Sequence, residues 1–246
     1  MNKHEYAIIV AGGKGTRMKS QTPKQFLELD GLPVLMHTIN VFFHYSESIR
    51  VILVLPEDDL KTWELLCKKY IYQKPLTLAA GGDTRFQSVK NGLEKISEKS
   101  GLVAIHDGVR PLVSEDIIAA SFRLAAVHGS AVAAVRLKES IRKTDKDNTR
   151  AVDRSDYRLI QTPQTFDLSI VKNAYEIKEE PGLTDDASVV ERSGHSISLF
   201  EGSYSNIKIT TPEDMVVAEA LLPAQSNSCL LPVSFLLIYF ANIHLH

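Results

Sequence analysis

Hydrophobic positions along the chain fall into short runs separated by stretches with helical spacing. Ala7-Ile8-Ile9-Val10, Val51-Ile52-Leu53-Val54-Leu55, Leu102-Val103-Ala104-Ile105 and Ala131-Val132-Ala133-Ala134-Val135 are nearly continuous apolar runs, the pattern of strands covered on both faces. Leu76 to Ala79 is a weaker strand. Helical spacing follows over Glu57 to Tyr70, after Pro56, and over Arg85 to Ile96. Ser114-Glu115-Asp116 opens a third helix, to Val127, with a cap and with acids where the helix dipole favours them. Thr211-Pro212-Glu213-Asp214 combines an N-cap, a first-turn proline and acids, and predicts a last helix running to about Leu222. This alternation predicts an α/β fold with a mostly parallel sheet flanked by helices.

Two stretches break the alternation. From Arg136 to Arg158, 13 of 23 residues are charged, against 24% for the whole chain, so the segment cannot be core. Thr144-Asp145-Lys146-Asp147-Asn148-Thr149 has turn chemistry, which predicts a projecting β-hairpin arm. A lone hairpin is marginal in water, so the arm at 136–158 is expected to pack on a second copy and make a homodimer. The other stretch is the apolar run Leu230 to Phe240, interrupted by Pro232 and Ser234. It is shorter than the roughly 20 residues of a membrane helix, which argues against integral membrane association. The expected organisation is a domain over 1–222 and an apolar extension over 223–246. Docking on the domain or its partner is the expected fate of that extension, with peripheral membrane contact the alternative.

Composition narrows the function. The 246 residues carry 28 Lys+Arg against 30 Asp+Glu, a net charge of -2, which is not the footprint of a dedicated nucleic-acid binder. Any anion site must be local. Cys67 and Cys229 have neither zinc nor redox spacing. The short apolar stretch after Glu5 is not a signal-peptide core. Reduced thiols in a cytoplasmic protein are the expectation.

Candidate chemistry sits where strands end. After the first strand, Ala11-Gly12-Gly13-Lys14-Gly15-Thr16-Arg17-Met18 is a glycine-dense turn whose backbone N–H groups could cradle a phosphate. It has neither the Walker A order nor a third dinucleotide-fold glycine. Lys14, Arg17 and Lys24 place three cations at the carboxyl end of that strand, where open α/β sheets bind ligands. A solvated basic loop is the bland alternative. Gly81-Gly82-Asp83-Thr84-Arg85-Phe86-Gln87-Ser88 and His106-Asp107-Gly108-Val109-Arg110-Pro111 also follow strands. Asp107 could hold Mg²⁺ with phosphate oxygens and water, or cap the next turn. His106 reads as a packed strand-end histidine rather than a base.

These motifs carry a family resemblance. Together with Pro23-Lys24-Gln25-Phe26, Val152-Asp153-Arg154, Gln161-Thr162-Pro163-Gln164, Thr184-Asp185-Asp186-Ala187-Ser188 and Asn206 to Asp214, they resemble, in order, the sugar-alcohol-phosphate cytidylyltransferases. The resemblance covers about residues 6 to 222. It implies a Rossmann-like nucleotidyltransferase fold, a homodimer joined by the arm, and Mg²⁺-dependent transfer of CMP from CTP to a sugar-alcohol phosphate. Methylerythritol phosphate is the expected acceptor. Ribitol 5-phosphate is the alternative acceptor, and a non-catalytic sugar-nucleotide-binding homologue the alternative of another class.

By motif matching, the catalytic positions are Arg17, Lys24, Arg154 and Lys208. Nucleotide contacts fall on Ala11, Gly12, Gly13, Gly15, Thr16, Gly81, Gly82, Asp83, Ser88 and Asp107, with Asp107 also at the metal. Acceptor contacts fall on Arg110, Ser140, Arg154, Thr162, Thr184 and Lys208. The chain departs from common family wording at Ser140, where many members carry Thr, and at Gly108-Val109, where many carry two alanines.

Overall fold

A computed structural model of the protein describes residues 4–12, 18, 22–146 and 148–226. Strand β1 (Glu5–Val10) lies at the middle of a seven-stranded sheet. A small hairpin of β2 (Glu28–Leu29) and β3 (Leu32–Pro33) leads into helix α1 (Val34–Tyr45). There follow β4 (Arg50–Leu55), α2 (Glu57–Lys69), β5 (Leu76–Ala80), α3 (Arg85–Glu94), β6 (Leu102–Asp107), α4 (Glu115–His128) and β7 (Ser130–Arg136). The arm is β8 (Arg142–Asp145) and β9 (Asn148–Ala151), and the chain returns through β10 (Arg158–Asp167), α5 (Leu168–Ala174), α6 (Asp186–Arg192), β11 (Leu199–Glu201) and α7 (Pro212–Ser226).

The sheet order is β11-β7-β10-β6-β1-β4-β5. Neighbours pair in parallel except β10, which is antiparallel to both β6 and β7. The mostly parallel sheet and the separate exposed hairpin agree with the reading of the pattern.

The period of two along each strand divides the core. Ala7, Ile9, Leu53, Leu55 and Ala104 face Leu35, Ile39, Phe42 and Phe122 on one side. Ile8, Val10, Ile52, Val54, Val103 and Ile105 face Val89, Leu93, Leu168 and Val190 on the other. Helix α3 comes so close to the sheet that a Cβ on Gly92 would lie 2.9 Å from Ile8 Cγ2 and 3.0 Å from Val54 Cγ2. That packing outweighs the roughly 1 kcal/mol a glycine costs inside a helix.

Strand β10 is the element that apolar patterning misses. It carries Gln161, Thr162, Gln164 and Thr165, all buried, and Pro163, which argues against a central strand. Its register shifts between Ile160 and Gln164, so the proline falls where the ladder is interrupted. Each polar side chain is bonded: Gln161 Nε2 donates to the Ser203 carbonyl at 2.7 Å, Gln164 Nε2 to Asp185 at 2.9 Å, and Thr165 Oγ1 to Ser121 Oγ at 2.9 Å. Burial of polar groups is tolerated when they are paired in this way. The last helix also differs from expectation, running to Ser226 rather than Leu222. The apolar run at 230–240 lies outside the described residues.

Candidate active site

The carboxyl ends of β1, β5 and β6 open into a cleft of about 120 Å³. Ala11 and Gly12 follow β1 on one wall, Arg85 and Ser88 at the start of α3 form another, and Lys24 and Lys208 complete it. Lys24 begins a single 3-10 turn, Lys24–Phe26, whose Gln25 and Phe26 are buried and anchor it. Three chain segments distant in sequence therefore bring their cations to one opening.

Asp107, the last residue of β6, is the hub. Its Oδ2 lies 3.0 Å from Lys208 Nζ and 3.3 Å from Arg110 Nε, while Oδ1 lies 3.7 Å from Arg85 Nε. Burial opposes the charged carboxylate, but Arg85, Lys208 and Arg110 together outweigh it and hold the Asp107 carboxyl well below the usual range. Its amide N–H donates to Thr162 Oγ1 at 3.1 Å, tying β6 to the interrupted part of β10.

Arg110 is nine-tenths buried, and its Nη1 donates to the Asn206 carbonyl at 2.8 Å. Burial lowers its pKa, with Asp107 opposing. His106 sits behind this cluster, fully buried, with Nε2 3.2 Å from the Arg110 carbonyl and its ring edge-to-face with Phe42 at 5.2 Å. A carbonyl only accepts, so Nε2 carries the hydrogen. Burial pushes the imidazole down to about 4. It is a packed, neutral histidine, as the sequence suggested.

Reading motifs singly overlooked one site residue. Asp186, the first residue of α6, is fully buried and pairs with Arg85 through both oxygens, each 2.7 Å from a terminal guanidinium nitrogen. The Tyr175 hydroxyl donates to the same carboxylate at 2.6 Å. Burial works against the Arg85 charge, but Asp186 and then Asp107 outweigh it and raise its pKa. The signal was present in Asp185-Asp186, of which Asp185 caps α6 in a reciprocal capping box with Ser188 and Asp186 turns inward.

The profile of one protein family, described as IspD: 2-C-methyl-D-erythritol 4-phosphate cytidylyltransferase, matches residues 6–224. The chain belongs to this family. It is 48% identical over 216 residues to the 2-C-methyl-D-erythritol 4-phosphate cytidylyltransferase of Bacteroides fragilis, covering 88% of this chain and 98% of that one. It is 40% identical over 222 residues to the enzyme of that name from Geobacillus kaustophilus, covering 89% and 97%. Among solved structures, the 4-diphosphocytidyl-2C-methyl-D-erythritol synthase of Anaerococcus prevotii superposes with a TM-score of 0.77 at 32% identity, covering 90% of this chain and 96% of that one.

The positions that the IspD motifs single out divide into three groups. The first is gathered at the cleft: Ala11, Gly12, Lys24, Ser88 and Lys208 line it, and Lys208 joins it to the Asp107–Arg110 pair. Gly81 and Gly82 border it, since Ser88 Oγ accepts from the Gly82 N–H at 3.1 Å and a Cβ on Gly81 would stand 3.1 Å from that oxygen. Asp83 is exposed, its N–H donating to Gln87 Oε1 at 3.0 Å. Gly108 carries the departure from the family wording. A Cβ there would lie 2.8 Å from Ala11 Cβ and 2.9 Å from Leu35 Cδ1, so the close approach of β6 to the cleft wall favours glycine in this chain.

The second group lies elsewhere. Arg154 is exposed after β9 and donates to the Lys138 carbonyl, Ser140 is exposed before β8, and Thr184 is exposed ahead of α6. Among the described residues no ion pair or hydrogen bond joins these three to Asp107 or Lys208. The third group, Gly13, Lys14, Gly15, Thr16 and Arg17, lies outside the described residues.

Proposed function

We propose that this chain transfers CMP from CTP to 2-C-methyl-D-erythritol 4-phosphate, releasing pyrophosphate. The observation that carries the reading is the convergence of Lys24, Arg85 and Lys208 on one cleft, with Arg85, Arg110 and Lys208 gathered on the buried carboxylate of Asp107. A nucleoside triphosphate and an attacking phosphate monoester together bring roughly five to six negative charges near neutral pH. A chain of net charge -2 can meet them only with cations concentrated in this manner.

The attacking group is a phosphate oxygen already largely ionised, so no protein base is required. His106, sealed inside and bonded to a backbone carbonyl, fits that economy. Lys24 and Arg17 stabilise the charge at the α-phosphorus as pyrophosphate leaves in line, and catalysis is positioning plus electrostatics. Ser88 and the Gly81-Gly82-Asp83 turn hold the nucleoside. Lys208, Arg110 and Thr162 face the acceptor side. Arg154, Ser140 and Thr184 reach substrate in an assembly of two chains, with Arg154 serving the partner's cleft.

Asp107 is the carboxylate that would hold Mg²⁺. Lys208 and Arg110 take Oδ2 and leave Oδ1 with the longer contact to Arg85, which suits an ion bound by one carboxylate with phosphates and water supplying the rest. When bound, the ion neutralises charge on the triphosphate.

The domain runs through α7 to Ser226, and the residues after it form an extension. The arm joins two copies, its two strands being exposed throughout. No described helix is long and apolar enough to cross a membrane, Cys67 is a free thiol, and the protein works in the cytoplasm.

Pyrophosphate release with Mg²⁺ and CTP tests the reaction. Turnover with methylerythritol phosphate and not with ribitol phosphate is the expected result; the reverse preference, or turnover with neither, overturns it. A dimer mass at micromolar concentration, in the full chain and in one stopped after Ser226, tests the assembly and the extension.

A further inference from the structure

We propose that Asp186 is a positioning residue of this site: by occupying both terminal nitrogens of Arg85 it keeps that guanidinium from closing on Asp107. The Asp107 carboxylate is thereby left to Lys208, Arg110 and the incoming nucleotide. The inference rests on the cytidylyl-transfer reading of the cleft.

Two carboxylates compete for one guanidinium. Arg85 meets Asp186 fork to fork, Nη1 to Oδ1 and Nη2 to Oδ2, both at 2.7 Å. This is the strongest geometry available to the pair. Only Nε remains for Asp107, and it stands 3.7 Å from Oδ1, beyond hydrogen-bond distance. Arg85 is thus close enough to add its field to the cleft and is held back from seizing the hub.

The holding group is rigid. Asp186 has no solvent exposure. The Tyr175 hydroxyl pins its Oδ1 at 2.6 Å, and the Tyr175 ring stacks on Phe86, the neighbour of Arg85, with centroids 4.8 Å apart. The next residue is also fixed, because the Ala187 N–H donates to Gln164 Oε1 at 2.8 Å. Asp186 cannot itself reach substrate, so it acts through Arg85.

The side chain of Asp186→Asn keeps the size but loses the charge that holds the fork. In that variant the Arg85 guanidinium is expected to turn to Asp107 and form two bonds with it. The consequence is a kcat lower by about ten-fold or more, the scale of misplacing one oriented charge. The decisive comparison is a second change in the same chain: Asp186→Asn with Arg85→Gln should turn over within about two-fold of Arg85→Gln alone, because the intruding group is gone.

Tyr175→Phe, which leaves the ion pair but removes one anchor, is expected to lower kcat about three-fold. It carries the test, with Asp186→Glu beside it, if Asp186→Asn does not fold. The measurements are a crystal structure of each variant and steady-state pyrophosphate release from the full chain.

Arg85 found away from Asp107, with kcat unchanged and only Tm lowered, would reduce Asp186 to a structural tie and overturn the proposal. A cost of Asp186→Asn that persists without Arg85 would overturn it as well. If the wild-type chain shows no turnover while Arg85 still moves onto Asp107 in Asp186→Asn, the functional reading fails and the positioning role stands.

Discussion

The cleft and the arm are both dense in charge, and they use it in opposite ways. In the arm the residues of β8 and β9 are exposed, and what orders them is local, such as Arg142 Nε donating to Thr149 Oγ1 at 3.0 Å. In the cleft Asp107 and Asp186 are buried, with Arg110 drawn in beside Asp107 while Arg85 and Lys208 keep part of their surface in water. Water screens the first set, so each charge there is worth little to the fold. The second set is desolvated, so removing one member leaves the others uncompensated. Charge density in a sequence therefore says less than where the backbone takes it.

The contrast can be broken most directly at Asp107. Asp107→Asn should cost about 3 kcal/mol of unfolding free energy in a urea melt, toward the lower end for a broken buried pair because Arg85 and Lys208 reach solvent. A loss below about 0.5 kcal/mol would put the cleft on the same footing as an exposed surface. Next in size is Lys24→Ala, expected to lower kcat about 100-fold or more, equivalent to about 2.7 kcal/mol, with Arg17→Ala alike. Near-normal kcat in both would remove the electrostatic account of the site.

A smaller effect follows from pH. The His106 imidazole is held near 4, below its ordinary value, so on acidification the unfolded chain takes up the proton first. Stability present above about pH 6.5 is then lost progressively toward pH 4, about 2 kcal/mol of it by pH 5. Asp107, whose carboxyl is depressed, adds stability present above the ordinary carboxylate range and lost as pH falls through its lowered value. Thermal melts between pH 7 and pH 5 should show the first slope, and His106→Gln should flatten it; an unchanged slope would assign the loss to other groups. Smallest is Arg142→Ala in the arm, expected to shift stability by less than about 0.5 kcal/mol, and a larger loss in a dilute, monomeric sample would show that the arm is held more firmly than its exposure suggests.

The legible parts of the chain were those in which one physical preference acts alone. Runs such as Ile8-Ile9-Val10 and Val51 to Leu55 read as strands because apolar side chains can be covered on both faces without needing any partner. Ser114 and the acids after it announced α4, whose N-cap indeed accepts from the Ile117 N–H. Helix α1, with its β-branched and aromatic residues, and β10, with its glutamines, threonines and proline, did not show in the pattern. Their polar groups are paid for by partners far away in the chain, as when Asn206 Nδ2 donates to the Thr162 carbonyl at 2.8 Å.

The sequence by itself determined the architecture's type, the position of the glycine and aspartate motifs at the ends of strands, and the separation of a charged arm from an apolar core. These follow from periodicity and from residue chemistry, which are local. Which charges would act together was decided only in three dimensions. Arg85 and Asp186 are 101 residues apart, yet they share two hydrogen bonds, and their pairing sets how much of Arg85 remains for Asp107. A charge acquires its strength from burial and from the second charge beside it, and both are properties of the fold.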